Sequence, residues 1–288
     1  MLGPASILLE GISSVMGQIS GLQFSRSVDG PLVVAVTPTY NERGNIEDLV
    51  TQMMALDGPY GLLIVDDNSP DGTGELADEL ANRYPGRVRV LHRPGKLGYG
   101  KAYVDGFKVA LESDADLIGT MDADFSHKPS DLARLVSAVW DGGYDLALGS
   151  RYQEGAVIRG WTVRRRLISR LGGYYARAVL GLGLTDPTAG FKVYRRALLE
   201  AIDLDSLESD GYGFNIETTY RAIQAGGRVV ELPYDFYDRA HGVSKFSRRI
   251  IVEAMVVTLR LRLETWHARW ARVRGLLGRQ VTSLKPKP

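Results

Sequence analysis

The sequence predicts an α/β fold in which a mainly parallel central sheet is flanked by helices. Short runs rich in Val, Ile and Leu alternate with stretches whose apolar residues recur at helical spacing. Runs that are apolar at nearly every position are typical of parallel strands, because these are buried on both faces. The predicted strands are Leu32–Thr37, Leu62–Val65, Val88–Leu91, Leu117–Met121, Leu146–Leu148 and Arg228–Leu232. The alternation favours a Rossmann-like architecture.

The stretches between the strands predict helices that cover the sheet. After the first strand, Ile46, Leu49, Val50 and Met53 recur at helical spacing, which indicates a face packed on the core. After about Arg151 the pattern loosens into helix-rich sequence. The first half therefore resembles a nucleotide-binding half-domain and the second an acceptor half.

The composition is that of a globular protein with one large core or two modest ones. The chain has 288 residues, of which 44% are hydrophobic and 24% charged. It has no cysteine, which excludes disulfides and thiolate metal sites and fits a reducing compartment. We expect a loosely ordered leader over 1–30, the main α/β domain over 31–245 and an amphipathic helical tail over 246–288.

The tail concentrates positive charge, although the net charge of the chain is only +1. No stretch reaches the roughly 20 apolar residues that span a bilayer. One helical face could lie on anionic lipid headgroups, or it could pack on the catalytic domain or a partner subunit. Nucleic acid is a weaker interpretation. The apolar face contains Ile250, Ile251, Ala254, Val257 and Leu261, and the basic end contains Arg260, Arg262, Arg269, Arg272, Arg274 and Arg279, with Trp266 and Trp270 between them and Glu264 as the one acid.

Two carboxylates, Asp122 and Asp124, flank Ala123 directly after the fourth predicted strand. The carboxyl ends of parallel strands are where open α/β sheets bind ligands. Carboxylate oxygens suit Mg²⁺ or Mn²⁺ bridging a diphosphate. The alternative is a turn that only caps the helix opening at Pro129-Ser130.

Polar residues also follow the first two strands. Tyr40 could stack on a base and Glu42 could accept hydrogen bonds from it. The alternative is a strand-to-helix turn in which Asn41 or Asn45 caps the next helix. The second strand ends in the acidic run Asp66–Thr73, in which one carboxylate could contact the nucleobase or ribose.

Two nucleotide-binding motifs are excluded. Gly95-x4-Gly100-Lys101 is followed by Ala102, where a P-loop needs Ser or Thr to hold Mg²⁺. The glycines are expected to shape a turn before a helix, with Lys101 facing inward or toward the nucleotide. A dehydrogenase is excluded because no Gly-x-Gly-x-x-Gly follows the first strand.

Taken in order, these segments resemble family 2 glycosyltransferases with a GT-A fold. The likeness spans roughly Val33 to Lys245 and includes Gly98–Ala102 and Ser150–Tyr152. Within the family the chain looks like the dolichyl- or polyprenyl-phosphate mannosyltransferases, through Asp66–Thr73, Asp186–Lys192 and Arg239 followed by Lys245.

That resemblance implies mannose transfer from GDP-mannose to a polyprenyl or dolichyl phosphate, with Mg²⁺ or Mn²⁺ as cofactor. It implies inversion at the anomeric carbon. It also implies a peripheral position on the cytoplasmic face of a membrane, held by lipid or by a membrane-embedded partner.

The resemblance also implies the site residues. Asp122 and Asp124 would bind the metal, and Arg151, Arg165 and Ser169 would bind the acceptor phosphate. The donor nucleotide would contact Pro38, Tyr40, Glu42, Val65, Asp67, Asp122, Ala123, Asp124, Arg239 and Lys245. The catalytic residues would be Asp122, Asp124, Arg151, Arg239 and Lys245. Guanidinium groups match phosphate oxygens in pairs, whereas lysine supplies a compact charge. The alternative for Arg164–Arg166 is a solvated helix face.

A phosphate acceptor is already anionic, so the reaction needs no general base. Glu217 could be a base for a hydroxyl acceptor, or it could pair with Arg221 at i+4. Ser126 stands where some relatives have an amide, which makes it a doubtful metal ligand. Two other functions stay open: transfer from UDP-glucose, and a non-catalytic nucleotide-sugar-binding subunit.

Overall fold

A computed structural model describes residues 23–26, 29–238 and 252–267. Its centre is a seven-stranded sheet in the order β3-β2-β1-β4-β7-β5-β8. The strands are β1 (Val33–Thr39), β2 (Tyr60–Asp66), β3 (Val88–His92), β4 (Leu117–Thr120), β5 (Leu146–Ser150), β7 (Lys192–Arg195) and β8 (Val229–Pro233), and a separate pair is formed by β6 (Ile158–Arg159) and β9 (Phe236–Tyr237).

Helices cover both faces of this sheet. They are α1 (Arg43–Met54), α2 (Thr73–Arg83), α3 (Tyr99–Glu112), α4 (Pro129–Trp140), α5 (Val163–Leu180), α6 (Arg196–Glu200), α7 (Gly211–Gln224) and α8, described over 252–267, with a 3₁₀ turn at Leu204–Ser206. The helix predicted from Ile46, Leu49, Val50 and Met53 is α1, and all four side chains are buried. The predicted α/β architecture is confirmed.

All six predicted strands are present, and β7 is an additional strand that the sequence analysis missed. It runs antiparallel to both β4 and β5, between which it lies. Only four residues long, it contains Lys192 and ends at Arg195, so it lacks the continuous apolar run that marks the parallel strands.

The register of the parallel strands brings their carboxyl ends to one edge. Pro38 of β1 pairs with Val65 of β2, and Thr39 pairs with Asp66. Met121, just after β4, donates its backbone N–H to Val36 of β1 at 3.2 Å. The loops after β1, β2 and β4 therefore emerge side by side.

Part of the predicted leader packs on the domain. Phe24 is buried, and its ring occupies the space that a side chain at Gly61 of β2 would need. Residue 24 of the predicted leader is therefore part of the packed core, and the domain bounds stay a prediction. The remaining leader residues, 1–22 and 27–28, lie outside the described part of the chain.

Helix α8 packs on the domain through one face of the predicted amphipathic tail. Val257 and Leu261 are buried against Ala176 and Leu180 of α5 and Ile216 of α7. For this face, packing on the catalytic domain is the alternative that the structure supports. The tail residues 268–288, with the arginines from Arg269 onward, lie outside the described residues.

Among the described helices, none combines the length and the apolar character that crossing a membrane requires.

Candidate active site

The loops at the carboxyl edge of the sheet have unusual backbone geometry. Asn41, Asn68 and Phe125, which follow β1, β2 and β4, all have positive φ values of 62°, 56° and 60°. Asparagine tolerates this conformation, but it is uncommon for a bulky aromatic residue. Strain of this kind clusters at functional sites, and here it lies next to Asp124.

The residues predicted to bind the nucleotide surround the ends of β1 and β2. The Lys96 ammonium lies 4.1 Å from the centroid of the Tyr40 ring. Glu42 accepts a hydrogen bond from Asn45 Nδ2 at 2.8 Å. Burial raises the pKa of Asp67, although Arg93 beside it, in a buried ion pair, acts in the opposite direction. Their nucleotide role stays a prediction.

The Asp122 and Asp124 carboxylates are held by different groups. Tyr99 and Tyr103 of α3 donate their hydroxyls to Asp122 Oδ1 at 3.2 and 3.3 Å. Burial raises the pKa of both phenols well above the ordinary value, so both remain protonated donors. Asp124 Oδ1 accepts the backbone N–H of Ser126 at 3.1 Å. The capping alternative finds no support, since α4 has no side-chain cap.

His127 is a buried histidine behind the carboxylate pair. Its Nδ1 accepts the Asp122 backbone N–H at 3.2 Å, which places the ring proton on Nε2. Its ring stacks on Phe191 with centroids 4.7 Å apart. Burial lowers the pKa of His127, so the ring is neutral at pH 7.

The donor set fits a hard divalent cation. The described residues contain no cluster of three or more His, Cys, Asp or Glu side chains arranged to hold a metal. Two carboxylates nonetheless match the way Mg²⁺ is usually held, with one or two carboxylates and the rest of the shell from substrate phosphates and water. Ser126 is buried here and contacts Asp124 through its backbone.

Arg151 is buried in a two-point ion pair with Asp186. Its Nε and Nη2 donate to Asp186 Oδ2 and Oδ1 at 2.7 and 2.8 Å, and Nη2 also donates to Thr188 at 2.7 Å. Burial alone would raise the pKa of Asp186, but the Arg151 charge holds it below its usual value. The guanidinium is therefore fixed in orientation before any ligand arrives.

Arg165 lies near Arg151 on the first turn of α5. It pairs with Asp238 at 2.9 Å and stacks on the Trp161 ring at 4.3 Å. The same ring lies 5.5 Å from the Arg151 guanidinium. Within the described residues, neither Arg165 Nε nor Trp161 Nε1, both buried, has a hydrogen-bond partner.

A polar cavity of about 370 Å³ brings these groups together. It is lined by Asp122, Asp124, His127, Arg151, Trp161 and Arg165, among others. An apolar cavity of about 360 Å³ lies between α5, α7 and α8. Thr188 and Tyr212 line both cavities, so the two are adjacent, and Ser169 lies in the wall of the apolar one.

The remaining predicted residues are Arg239, Lys245, Lys101 and Glu217. Arg239 and Lys245 fall outside the described residues. Lys101 is exposed, so the prediction that it faces inward is wrong. Glu217 pairs with Arg221 at 2.8 Å, and Arg260 of α8 also reaches it at 3.2 Å. Its i+4 pairing is therefore the alternative that holds.

The sequence analysis did not single out His127, Trp161, Tyr99 or Tyr103 as site residues. Aromatic residues and a single histidine look like core residues in a sequence. One signal was available for the tyrosines, because Tyr99 and Tyr103 are four apart in the predicted helix after the Gly-rich turn, and so share a face.

Comparison with models of protein families identifies the family of this chain. Residues 34–203 match the model of glycosyl transferase family 2. This chain is a family 2 glycosyltransferase. The matched segment includes the carboxylate pair, both halves of the Arg151–Asp186 ion pair and most of the sheet.

Two curated relatives align with most of this glycosyltransferase. Polyprenol monophosphomannose synthase from Mycolicibacterium smegmatis is 48% identical over 222 residues, covering 77% of this chain and 83% of the relative. Undecaprenyl-phosphate mannosyltransferase from Micrococcus luteus is 44% identical over 246 residues, covering 85% and 99%.

Solved structures of glucosyl-3-phosphoglycerate synthase from Mycobacterium tuberculosis share the fold. One, with Mn²⁺, UDP and glucosyl-3-phosphoglycerate, superposes with a TM-score of 0.58 at 21% identity, covering 81% of this chain and 80% of that chain. Another, with Mg²⁺ and UDP, gives 0.59 at 20% identity, covering 87% and 83%. The GT-A fold predicted for this glycosyltransferase is therefore confirmed.

Proposed function

We propose that this glycosyltransferase transfers mannose from GDP-mannose to the phosphate of a polyprenyl phosphate. The observation that carries the proposal is the contact between two unlike cavities. One is polar, and its wall includes the Asp122 and Asp124 carboxylates and the Arg151 and Arg165 guanidinium groups; the other is apolar and opens between three helices. The names of the two curated relatives agree with such a substrate pair.

The apolar cavity suits the hydrocarbon part of the acceptor. Its wall contains Ile168 and Leu171 of α5, Ile216 of α7 and Met255 of α8. Burying an apolar chain there gains about 25 cal/mol for each Å² removed from water. Ser169 in that wall, and Arg151 and Arg165 in the neighbouring cavity, provide polar contacts for the phosphate that the chain carries.

The donor occupies the polar cavity and the edge beside β1 and β2. Tyr40 offers a face on which the base stacks, and Asp67 offers a carboxylate that accepts from guanine N–H groups. Asp122 and Asp124 would hold Mg²⁺ or Mn²⁺. That ion supplies positive charge to the departing diphosphate. Arg239 and Lys245 of the predicted site complete the positive charge by sequence resemblance.

The transfer is a single in-line displacement. An acceptor phosphate oxygen forms a bond to the anomeric carbon as the bond from that carbon to the diphosphate oxygen breaks, so the configuration inverts and GDP leaves. The acceptor oxygen is already anionic, so no proton moves. Arg151 and Arg165 counter the repulsion between the two anions and orient the acceptor, which lowers the barrier by positioning.

A lipid acceptor requires contact with a membrane, and α5 and α8 provide a surface for it. We name the exposed apolar residues of these helices the exposed face; they are Val163, Leu167, Leu171 and Tyr174 on α5, and Val252, Met255, Val256, Leu259, Leu263 and Trp266 on α8. Exposed Arg164 and Arg166 lie beside this face and suit anionic headgroups. We propose a peripheral position on the cytoplasmic face of this membrane.

Incubation of the protein with radiolabelled GDP-mannose, Mg²⁺ and polyprenyl phosphate in detergent or vesicles tests this function. The expected result is a chloroform-soluble mannolipid, lost on Asp124→Asn. Absence of the product with well-presented lipid would refute the proposal. Turnover by the wild type that disappears in Asp124→Asn would also exclude a non-catalytic binding subunit.

The same assay separates the two candidate donors. Parallel reactions with UDP-glucose, and thermal shifts with GDP or UDP plus Mn²⁺, compare them directly. We expect GDP to stabilise the fold more than UDP. Preferential stabilisation by UDP, with glucolipid as the product, would instead identify a polyprenyl-phosphate glucosyltransferase.

A further inference from the structure

Two tyrosine hydroxyls converge on one oxygen of a carboxylate in the active site. Tyr99 Oη lies 3.2 Å and Tyr103 Oη 3.3 Å from Asp122 Oδ1. An ionised carboxylate only accepts hydrogen bonds, so both phenols donate to it. The tyrosines are four residues apart at the start of α3, which places them on the same helix face.

The two rings are fixed by a buried aromatic cluster. Tyr99 and Tyr103 meet edge to face with centroids 4.9 Å apart, and Tyr103, which is 0% exposed, stacks on Phe214 of α7 at 5.6 Å. Such ring pairs add about 0.5–1.5 kcal/mol beyond the apolar area they bury. The hydroxyl positions are therefore set by packing as well as by hydrogen bonds.

The backbone that carries the tyrosines is also held closely. Gly100 donates its N–H to Asp210 at 2.6 Å. A Cβ at Gly100 would come within 2.3 Å of the Ser209 carbonyl oxygen, so only glycine fits between the first turn of α3 and this loop. The close approach anchors the first turn of α3, and Tyr99 with it, against the loop before α7.

We propose that Tyr99 and Tyr103 are positioning residues that orient the Asp122 carboxylate for a divalent cation. The inference rests on the proposed metal role of Asp122 and deepens it. With Oδ1 held by the phenols and the backbone N–H held by His127 at 3.2 Å, the carboxylate cannot rotate freely. The site is therefore organised before the cation and the nucleotide bind.

Groups that hydrogen-bond to a metal ligand typically change metal affinity by about 10–100-fold when they are removed. A hydrogen bond to a carboxylate also withdraws some negative charge, which acts in the opposite direction. We expect the loss of orientation to dominate, because a rotating carboxylate must be ordered again each time the metal binds. Removing either hydroxyl should therefore weaken metal binding.

The test measures Mn²⁺ binding directly, without turnover. Free Mn²⁺ is titrated by electron paramagnetic resonance, with and without GDP, for wild type, Tyr99→Phe, Tyr103→Phe and the double variant. The matched control is Tyr194→Phe. Tyr194 is also a buried tyrosine in the aromatic cluster, with its ring centroid 5.8 Å from that of Phe107, but its hydroxyl is not one of the two that bind Asp122. Thermal melting shows that each variant is folded.

We expect each single variant to bind Mn²⁺ about 10-fold more weakly, the double variant more weakly still, and Tyr194→Phe within about 2-fold of wild type. Unchanged Mn²⁺ affinity in both single variants, with wild type still producing mannolipid, would overturn the positioning role alone. An equal loss in Tyr194→Phe would also overturn it. Wild type that binds no Mn²⁺ even with GDP would overturn the metal role as well.

Discussion

Arg151, in the wall of the polar cavity, forms a buried ion pair with Asp186. Beyond the two side-chain bonds, Asp186 Oδ2 accepts the backbone N–H of Arg151 at 3.2 Å. The backbone N–H of Asp186 in turn donates to Glu231 of β8 at 2.7 Å. Burial alone would lower the pKa of Arg151, but the Asp186 carboxylate raises it well above its ordinary value, so the cation is permanent. A fixed, charged guanidinium thus lines the polar cavity.

Asp186→Asn should impair use of the acceptor more than use of the donor. An amide offers one oxygen to the guanidinium and carries no charge, so Arg151 loses both orientation and compensation. A substrate-binding group misplaced by about 1 Å can cost about 100-fold in rate, so we expect kcat/KM for polyprenyl phosphate to fall at least about 10-fold. Steady-state kinetics with each substrate varied in turn measure the loss.

Asp78→Asn is the control for that experiment, since Asp78 pairs with His92 on the surface. It should leave both KM values unchanged. An acceptor KM in Asp186→Asn equal to that of wild type would show that Arg151 does not bind the acceptor.

We expect the aromatic ring of Trp161 to contribute to acceptor binding. The ring is 6% exposed and contacts the guanidinium groups of both Arg151 and Arg165. Desolvated cation–π contacts contribute about 2 kcal/mol, so Trp161→Leu should raise the acceptor KM roughly 10- to 30-fold. Trp161→Phe keeps a ring and should lose less. Equal losses in the two variants would argue against ring stacking as the cause.

Lys192 should make stability depend on pH. It is 1% exposed on β7, and burial lowers its pKa from 10.5 to about 7. Its Nζ donates to the Asn215 carbonyl and to Thr218, both at 2.8 Å, which a neutral amine can do. Between about pH 7 and 10.5 the unfolded chain binds a proton that the folded chain lacks, so stability rises with pH across this window.

Urea unfolding at pH 7 and pH 9 measures the effect in wild type and Lys192→Met. From pH 7 to pH 9, the free energy of unfolding of wild type should rise by about 2 kcal/mol relative to that of the variant. Lys108→Met removes a half-exposed lysine and should show no such difference. A constant difference between wild type and Lys192→Met across this range would mean that Lys192 is charged in the folded protein.

The exposed face of α5 and α8 should bind membranes. Leu167→Glu on α5 and Leu259→Glu on α8 each place a charge among exposed apolar side chains. Each lost leucine contact is worth about 1.5–3 kcal/mol, so partitioning onto anionic vesicles should fall at least about 10-fold. Flotation with vesicles measures it. Trp140→Glu, on the exposed end of α4, is the control, and an equal loss there would point to non-specific adsorption.

The parallel part of the fold was predictable because each such strand is buried on both faces and is apolar almost throughout. Strand β7 was not predicted because its buried positions include Lys192, whose amino group is hydrogen-bonded by α7 residues only in the folded chain. A polar residue inside a short strand gives no periodic signal. The antiparallel position of β7 between β4 and β5 could therefore not be predicted from the sequence.

The clustering of the candidate site residues was predictable where charged groups follow strands, and their functional roles stay predictions. Asp122, Asp124, Arg151 and Arg165 line one cavity, as their motifs suggested. The contacts that orient them were not predictable. Asp186 lies 35 residues from Arg151, and the spacing of Tyr99 and Tyr103 puts them on one helix face without showing that this face meets Asp122. Their contacts depend on how the elements pack. The apolar cavity likewise arises only when α5, α7 and α8 come together.

Filling the apolar cavity at Gly172 tests the central claim most directly, because the claim requires the lipid chain of the acceptor to lie there. Gly172 of α5 lines this cavity, and a Cβ at that position meets nothing within 4 Å, so Gly172→Trp can enter it without a backbone clash. Gly183→Trp, at an equally open position outside the walls of both cavities, is the control. We predict that Gly172→Trp lowers kcat/KM for a long polyprenyl phosphate at least about 10-fold while the KM for GDP-mannose stays that of wild type, as in the control. Unchanged kcat/KM for the long acceptor in Gly172→Trp would contradict the account.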